Sequence, residues 1–306
     1  MKKKEVHMPE TNGLYQSRWS RPVSCFVVFL AFAFIGAAPI PAKGGTWAQW
    51  KSTSFLSTRS EASPSLPAQA TTASEHSPIP PGTILPVILR TTISRDKAKQ
   101  GQIIHGVIAQ DVPLPGGSRI RKGSKVEGQV VEVVPAGNAT GTKISVRFDK
   151  VYLQGKAIPI KTDLRAIAGF MEVLGAGVPN QAIGEGDVSN WMTTRQVGGD
   201  SVFGAGGPVT SAHNATEVVG RSLISGGVLV QVQPNERANC RGALDGNDTP
   251  QALWVFSADA CGTYGLSNVV IAHAGRTDPV GTITLEVQAR KAKIQSGAGL
   301  LLRVIS

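Results

Sequence analysis

Apolar and polar residues alternate strictly through "KISVRFD", where Ile144, Val146 and Phe148 face one way and Lys143, Ser145, Arg147 and Asp149 the other. Period two over that length predicts a half-buried β-strand. Beyond Asp149 the apolar phase moves to Val151 and Leu153, which predicts a β-bulge near Lys150. "KVEGQVVEVV" puts Val126, Val130 and Val134 on one side, with Gly128 allowing a close approach or a bend. "KAIPIKTDL" puts Ile158, Ile160 and Leu164 on one face, and Pro159 argues for a sheet edge, because proline has no amide to give a ladder. "RIRKGSKV" carries a hairpin signal with Lys122, Gly123 and Ser124 at the turn. Short strands at this spacing predict a small barrel-like β-domain over residues 80–165, opened by the Pro-Pro-Gly corner before "TILPVIL".

Strand patterns return after Val218 in "VLVQVQ", "QALWVF", "NVVIAHA", "VGTITLEV" and "GLLLRVI". Residues 218–306 therefore read as a second, sandwich-like β-domain closed by the C-terminal strand. Between the two, residues 166–217 read as a Gly-rich connector in which "AGFMEVLG" forms a helical turn or two. The predicted class is all-β. A faint echo links "GTILPVIL" to "GAGLLLRVI".

Composition supports this reading. Of 306 residues only 17% are charged, while glycine numbers 35 and proline 19. Short strands with tight turns suit that balance better than long solvent-facing helices. The net charge of +10 favours anionic surfaces without choosing among them.

Residues 1–42 have the order of an export signal. Basic residues come first, "CFVVFLAFAFIGAAPI" follows without a charge, and a Pro/Gly-rich stretch comes after it. Ala37, Ala42 and Ala48 are alternative cleavage ends, and residues 22–42 are also long enough to act as a retained anchor. Residues 43–79, rich in Ser, Thr, Ala and Pro without apolar period, predict a disordered linker. The expected location is outside the cytoplasm, in the periplasm or cell envelope or beyond. Cys25 lies at the start of the apolar segment, so Cys240 and Cys261 form the pair available to the exported part, and a disulfide between them is expected.

"PPGTILPVILRTTISRDKAKQGQIIHGVIAQDV" followed by "IRKGSKVEGQVVEV" resembles the β-barrel domain of TrbI-type conjugal-transfer proteins. The matching positions are Gly82, Thr83, Ser94, Asp111, Val112, Ile120, Gly123, Ser124 and Gly128. The resemblance covers residues 80–165 and rests on structural positions, not catalytic ones. It implies an exported scaffold subunit of a secretion channel, anchored by one helix with a Pro-rich spacer.

Three groups of residues are candidates for chemistry. Arg119, Arg121, Lys122 and Lys125 crowd one hairpin and form a candidate anionic-surface site. Single-stranded nucleic acid would want aromatics beside those cations, and residues 80–165 offer only Phe148 and Tyr152, so nucleic acid is not expected. Asp245, Asn247 and Asp248, with Trp254 downstream, form a candidate ligand loop. Its spacing departs from the calcium-wrapping pattern, and Asp-Gly and Asn-Asp are ordinary turn chemistry. Trp254 sits between apolar neighbours, either as core or as a stacking platform for a sugar ring. His273 and Asp278 in "IAHAGRTDPVG" would orient a base only if Ser257 or Ser267 came near. No Gly-x-x-x-x-Gly-Lys-Ser/Thr cradle and no Gly-x-Ser-x-Gly elbow occurs.

The function expected from these features is a non-enzymatic envelope protein, without cofactor, metal or catalytic residues, that scaffolds or binds through its β-surfaces. Its expected partners are anionic polymer, lipid head groups or other envelope proteins, with a membrane reached through residues 22–42 if they are retained. A secreted carbohydrate- or calcium-binding module and an exported hydrolase are the alternatives.

Overall fold

The computed structural model describes residues 79–135, 141–178, 193–235 and 249–306. The first strands are β1 (Ile84–Leu89), β2 (Ile93–Ser94), β3 (Ile103–Ile108), β4 (Val112–Pro113) and β5 (Arg119–Ile120). They are followed by β6 (Lys125–Pro135), β7 (Thr142–Leu153), β8 (Lys156–Pro159) and β9 (Thr162–Ala168), then a short helix, α1 (Phe170–Ala176). Next come β10 (Thr193–Arg195), β11 (Ser201–Phe203), β12 (Pro208–Thr210), β13 (Val218–Ser222), β14 (Val228–Val230) and β15 (Gln251–Ala252). The last are β16 (Gly262–Tyr264), β17 (Val269–His273), β18 (Ile283–Val287), β19 (Lys293–Ile294) and β20 (Gly299–Val304).

A ten-stranded sheet runs β16-β9-β20-β1-β3-β6-β7-β18-β17, with β8 paired to β7. β16 is parallel to β9, and the other pairs in this sheet are antiparallel. β16 and β17 stand at opposite ends of the order, yet only residues 265–268 separate them in the chain. Leu164 of β9 donates its amide to the Ala274 carbonyl, just past β17, at 2.9 Å. The sheet thus nearly closes on itself as a barrel, which removes the exposed edges an open sheet would leave. Leu85, Val87, Ile104, Ile144, Phe148 and Leu302 are buried in its core.

A second sheet, β10-β11-β12-β13-β14-β15, packs on one side of the barrel. The barrel strands it covers are buried on both faces. In β1, Leu85 and Val87 enter the barrel core while Ile84 joins the second core. In β20, Leu300 and Leu302 turn inward and Leu301 turns out against Val209, Val230 and Phe256. That double burial is why "ILPVIL" and "GLLLRV" read as continuous apolar runs while β7 alternates. Gly299 lets the layers approach: a Cβ there would lie 3.2 Å from Trp254 Cζ3 and 3.3 Å from Phe256 Cε2.

The all-β expectation agrees with this architecture, but the chain does not divide where the patterns suggested. Barrel strands come from residues 84–168 and again from 262–304. The second sheet takes β10–β12 from the expected connector and only β13–β15 from the expected second domain. Period two says that a strand has a buried face; it carries no information on which strand lies beside it.

Local expectations fare unevenly. The β6–β7 register jumps from Glu127↔Lys150 to Gly128↔Phe148, so Asp149 is the extra residue of the bulge expected near Lys150. At Gly128 a Cβ would strike the Arg147 carbonyl and sit 2.9 Å from Phe148 Cδ1, the close approach expected there. A further register shift between Val130 and Glu132 reverses the phase, so Val134 is exposed and does not share a face with Val126 and Val130. The hairpin expected at "RIRKGSKV" is a turn whose arms do not pair with each other. β5 pairs with β4, and β6 pairs with β3.

Candidate functional site

The turn carrying Arg119, Arg121, Lys122 and Lys125 is built by Gly123 at φ 87 and by the Ser124 amide donating to the Arg121 carbonyl at 3.1 Å. Positive φ at the third position requires glycine there. The four cations are not equally available. Arg119 Nη1 lies 3.3 Å from Asp111 Oδ2, while Asp111 Oδ1 accepts the Lys122 amide at 2.8 Å. Lys125 Nζ is 2.8 Å from Glu127 Oε2 and 4.9 Å above the centre of the Tyr152 ring. Lys150 reaches the other Glu127 oxygen at 3.3 Å. The hydrogen bond from Lys125 holds the Glu127 carboxyl below its ordinary range and raises the Lys125 ammonium. Arg121 and Lys122 are left exposed, without an ion pair among the described residues. The cluster expected as one four-cation site is therefore two neutralised pairs and two free cations.

Asp245, Asn247 and Asp248 lie outside the described residues, as does Cys240. Cys261 is disulfide-bonded. Trp254 is half-buried at φ 55, packed against the second core, with its amide donating to Gln110 Oε1 at 2.7 Å. The left-handed turn at Trp254 ends β15 after Ala252, which shortens the strand expected through "QALWVF".

His273 serves its own loop. Nδ1 lies 2.9 Å from the Thr282 carbonyl and Nε2 lies 2.6 Å from Thr277 Oγ1. The Gly275 amide also donates to Nδ1, at 3.1 Å, so the ring is engaged on both nitrogens by its own loop. Asp278 and Ser267 are exposed. Ser257 is fully buried, and its hydroxyl accepts the Asp200 amide at 2.9 Å.

Three buried polar side chains that were not singled out in the sequence tie down the second sheet, two of them, Arg165 and Gln110, from the barrel. Arg165 in β9 is 5% exposed; its Nε donates to the Ala260 carbonyl at 2.9 Å and its Nη2 to the Gln233 carbonyl at 2.7 Å. Gln110 donates to the Val228 carbonyl at 2.6 Å and accepts the Val228 amide at 3.0 Å. Asp200 accepts the Ala258 amide at 2.7 Å and the Ala212 amide at 2.9 Å. Burial raises the Asp200 carboxyl above its ordinary value, against the lowering effect of those two amides. An arginine inside the apolar run "DLRAIA" was a visible signal. Asp200 was hidden because "GGDS" is also turn chemistry.

Two hollows stand out among the described residues. One, about 600 Å³, is lined by Arg147, Lys150 and Lys161 with Asp149 between them. The other, about 490 Å³, is walled by Pro80, Pro81, Pro113, Pro115 and Pro250 around Arg221. Among the described residues no group of His, Cys, Asp and Glu has the geometry to hold a metal ion. None of their helices is long and apolar enough to cross a membrane.

No protein-family model matches the chain, and no curated protein matches it.

Proposed function

We propose that this is an exported, non-enzymatic protein of the cell envelope that scaffolds or binds through the surface of its barrel. The observation that carries the reading is the task of each residue in the TrbI-like pattern. The Gly82 amide donates to the Val304 carbonyl at 2.8 Å and joins the barrel's first strand to its last. Thr83 Oγ1 donates to the Pro80 carbonyl at 2.7 Å. Val112 and Ile120 are a buried cross-strand pair, Asp111 and Gly123 build the turn, and Gly128 admits the bulged strand. Gly82, Thr83, Asp111, Val112, Ile120, Gly123 and Gly128 thus serve the barrel or the turn and short strand pair packed beside it, as expected of a scaffold whose function resides in its surface. The disulfide at Cys261 favours an oxidising compartment, in agreement with the export signal read from residues 1–42.

The test is to produce the full chain in a Gram-negative host, fractionate the cells and crosslink before lysis. The expected result is recovery with the envelope, Cys261 oxidised, and crosslinks to envelope components. Recovery in the soluble cytosolic fraction with Cys261 reduced would refute the reading.

A further inference from the structure

Two lysine-rich segments from opposite ends of the described chain meet in space. β2 and β19 pair with Ser94 opposite Lys293 and Ile93 opposite Ile294. The ladder brings "RDKAK" (Arg95–Lys99) beside "RKAK" (Arg290–Lys293). In both segments the alanine, Ala98 or Ala292, packs toward the barrel core, so the flanking lysines turn outward. Lys97, Lys99, Lys291 and Lys293 are exposed, and none has an ion pair among the described residues. Arg95 is held by Thr142 Oγ1 at 2.9 Å and the Gln288 carbonyl at 3.0 Å and stays part of the frame.

An apolar prong stands beside this basic ribbon. Lys293 and Ala292 line one hollow of about 220 Å³ with Phe170 and Met171 of α1. Val173 and Ala176 of that helix face the second core, while Met171, Leu174 and Val178 are 70%, 53% and 57% exposed. Met171 and Leu174, three residues apart, share one side of the helix; Val178 follows two residues past its end, and Phe170 is 42% exposed next to them. Glu172 is the acidic residue in the first turn of the helix.

We propose that this combined surface docks the protein on an anionic lipid bilayer. The lysines meet lipid phosphates, and Met171, Leu174 and Val178 enter the boundary between head groups and acyl chains. A soluble polyanion would use the cations and leave the apolar stripe in water. A second copy meeting the same patch across a two-fold axis would set lysines against lysines. An anionic bilayer meets both halves at once: its phosphates answer the lysines and its acyl boundary takes the apolar stripe. This goes beyond the scaffold reading and is tested on purified protein, so either can fail without the other.

The experiment measures partitioning of the full chain onto vesicles of phosphatidylcholine alone and of phosphatidylcholine with phosphatidylglycerol, across a salt series. Residues 1–42 are common to all variants, so differences between variants report this surface. Lys97→Gln, Lys99→Gln, Lys291→Gln and Lys293→Gln together are expected to lower partitioning onto the anionic vesicles up to about a thousandfold at low salt. Met171→Ser with Leu174→Ser is expected to lower it about tenfold, with thermal unfolding unchanged. Equal partitioning of the parent and the four-glutamine variant onto the anionic vesicles at low salt overturns the proposal. Loss with the glutamines but not with the serines overturns the lipid assignment in favour of a polyanion.

Discussion

The backbone amide of Asp200 donates to the hydroxyl of Ser257 at 2.9 Å, across 57 residues of chain and inside the second sheet's buried wall. The Asp200 carboxylate then returns to the same loop and accepts the Ala258 amide at 2.7 Å. This aspartate is the clamp between the β12–β13 side of the sheet and the loop that leads to Cys261.

Asp200→Ala leaves the Ala212 and Ala258 amides without an acceptor. It is expected to cost about 2–4 kcal/mol of stability, read from urea unfolding. Asp200→Asn keeps one acceptor and is expected to cost less, about 1–3 kcal/mol. Equal stability of D200A and the parent would show that water replaces the carboxylate.

The raised Asp200 carboxyl also sets a pH dependence. Its ordinary value is 3.8, and burial is the largest cause of the rise. Below 3.8 the folded and unfolded chains both hold the proton, and the contribution to stability is fully present. It is lost as the pH rises through the folded value. The stability of the parent relative to the D200N variant is therefore expected to fall as the pH rises above about 4, measured as unfolding midpoints at several pH values. A difference that grows with pH instead would show that the two amides outweigh burial.

Arg165 donates to carbonyls of three residues, Ala260, Gln233 and Ala258. Arg165→Ala is expected to destabilise by about 3–5 kcal/mol, because buried carbonyls lose their donor. Arg165→Lys keeps the charge but not the fork and is expected to recover less than half of that loss. Full recovery by lysine would mean that charge alone holds the loop.

Two glycines give opposite expectations under one substitution. Gly128→Ala forces a methyl against the Arg147 carbonyl and is expected to destabilise by about 1–3 kcal/mol. Gly175 lies inside α1 with nothing within 4 Å of a built Cβ. Gly175→Ala is expected to stabilise by about 0.5–1 kcal/mol through helix propensity, measured as a shift in thermal midpoint.

Cys261 is bonded, and the chain's other cysteines are Cys25 and Cys240. Peptide mapping without reduction is expected to recover Cys261 linked to Cys240, and reduction is expected to cost about 3 kcal/mol. A peptide linking Cys261 to Cys25 would remove the leader from the reading as a cleaved signal.

Strand-by-strand reading of the sequence reached the all-β class, a bulge near Lys150, the edge position of β8 and the close approach at Gly128, because each is set by residues adjacent in the chain. Side-chain period, a proline's missing amide and a glycine's missing Cβ act locally. Neighbourhood between strands is not local. β18 pairs with β7 and β20 with both β1 and β9, so the barrel needs residues from both halves before it can close. The faint echo between "GTILPVIL" and "GLLLRVI" belongs to two strands that lie side by side, a relation that no single segment states. Charge followed the same rule. The cluster legible in sequence, Arg119–Lys125, is partly neutralised by Asp111, beside the neighbouring strand, and by Glu127, two residues along β6 from Lys125. The cluster that folding left open, Lys97 to Lys99 with Lys291 to Lys293, exists only because β2 and β19 pair. Local order placed counter-charges beside Arg119 and Lys125, whereas long-range pairing alone gathers the lysines of β2 and β19 on one surface, and the linear order of residues does not contain it.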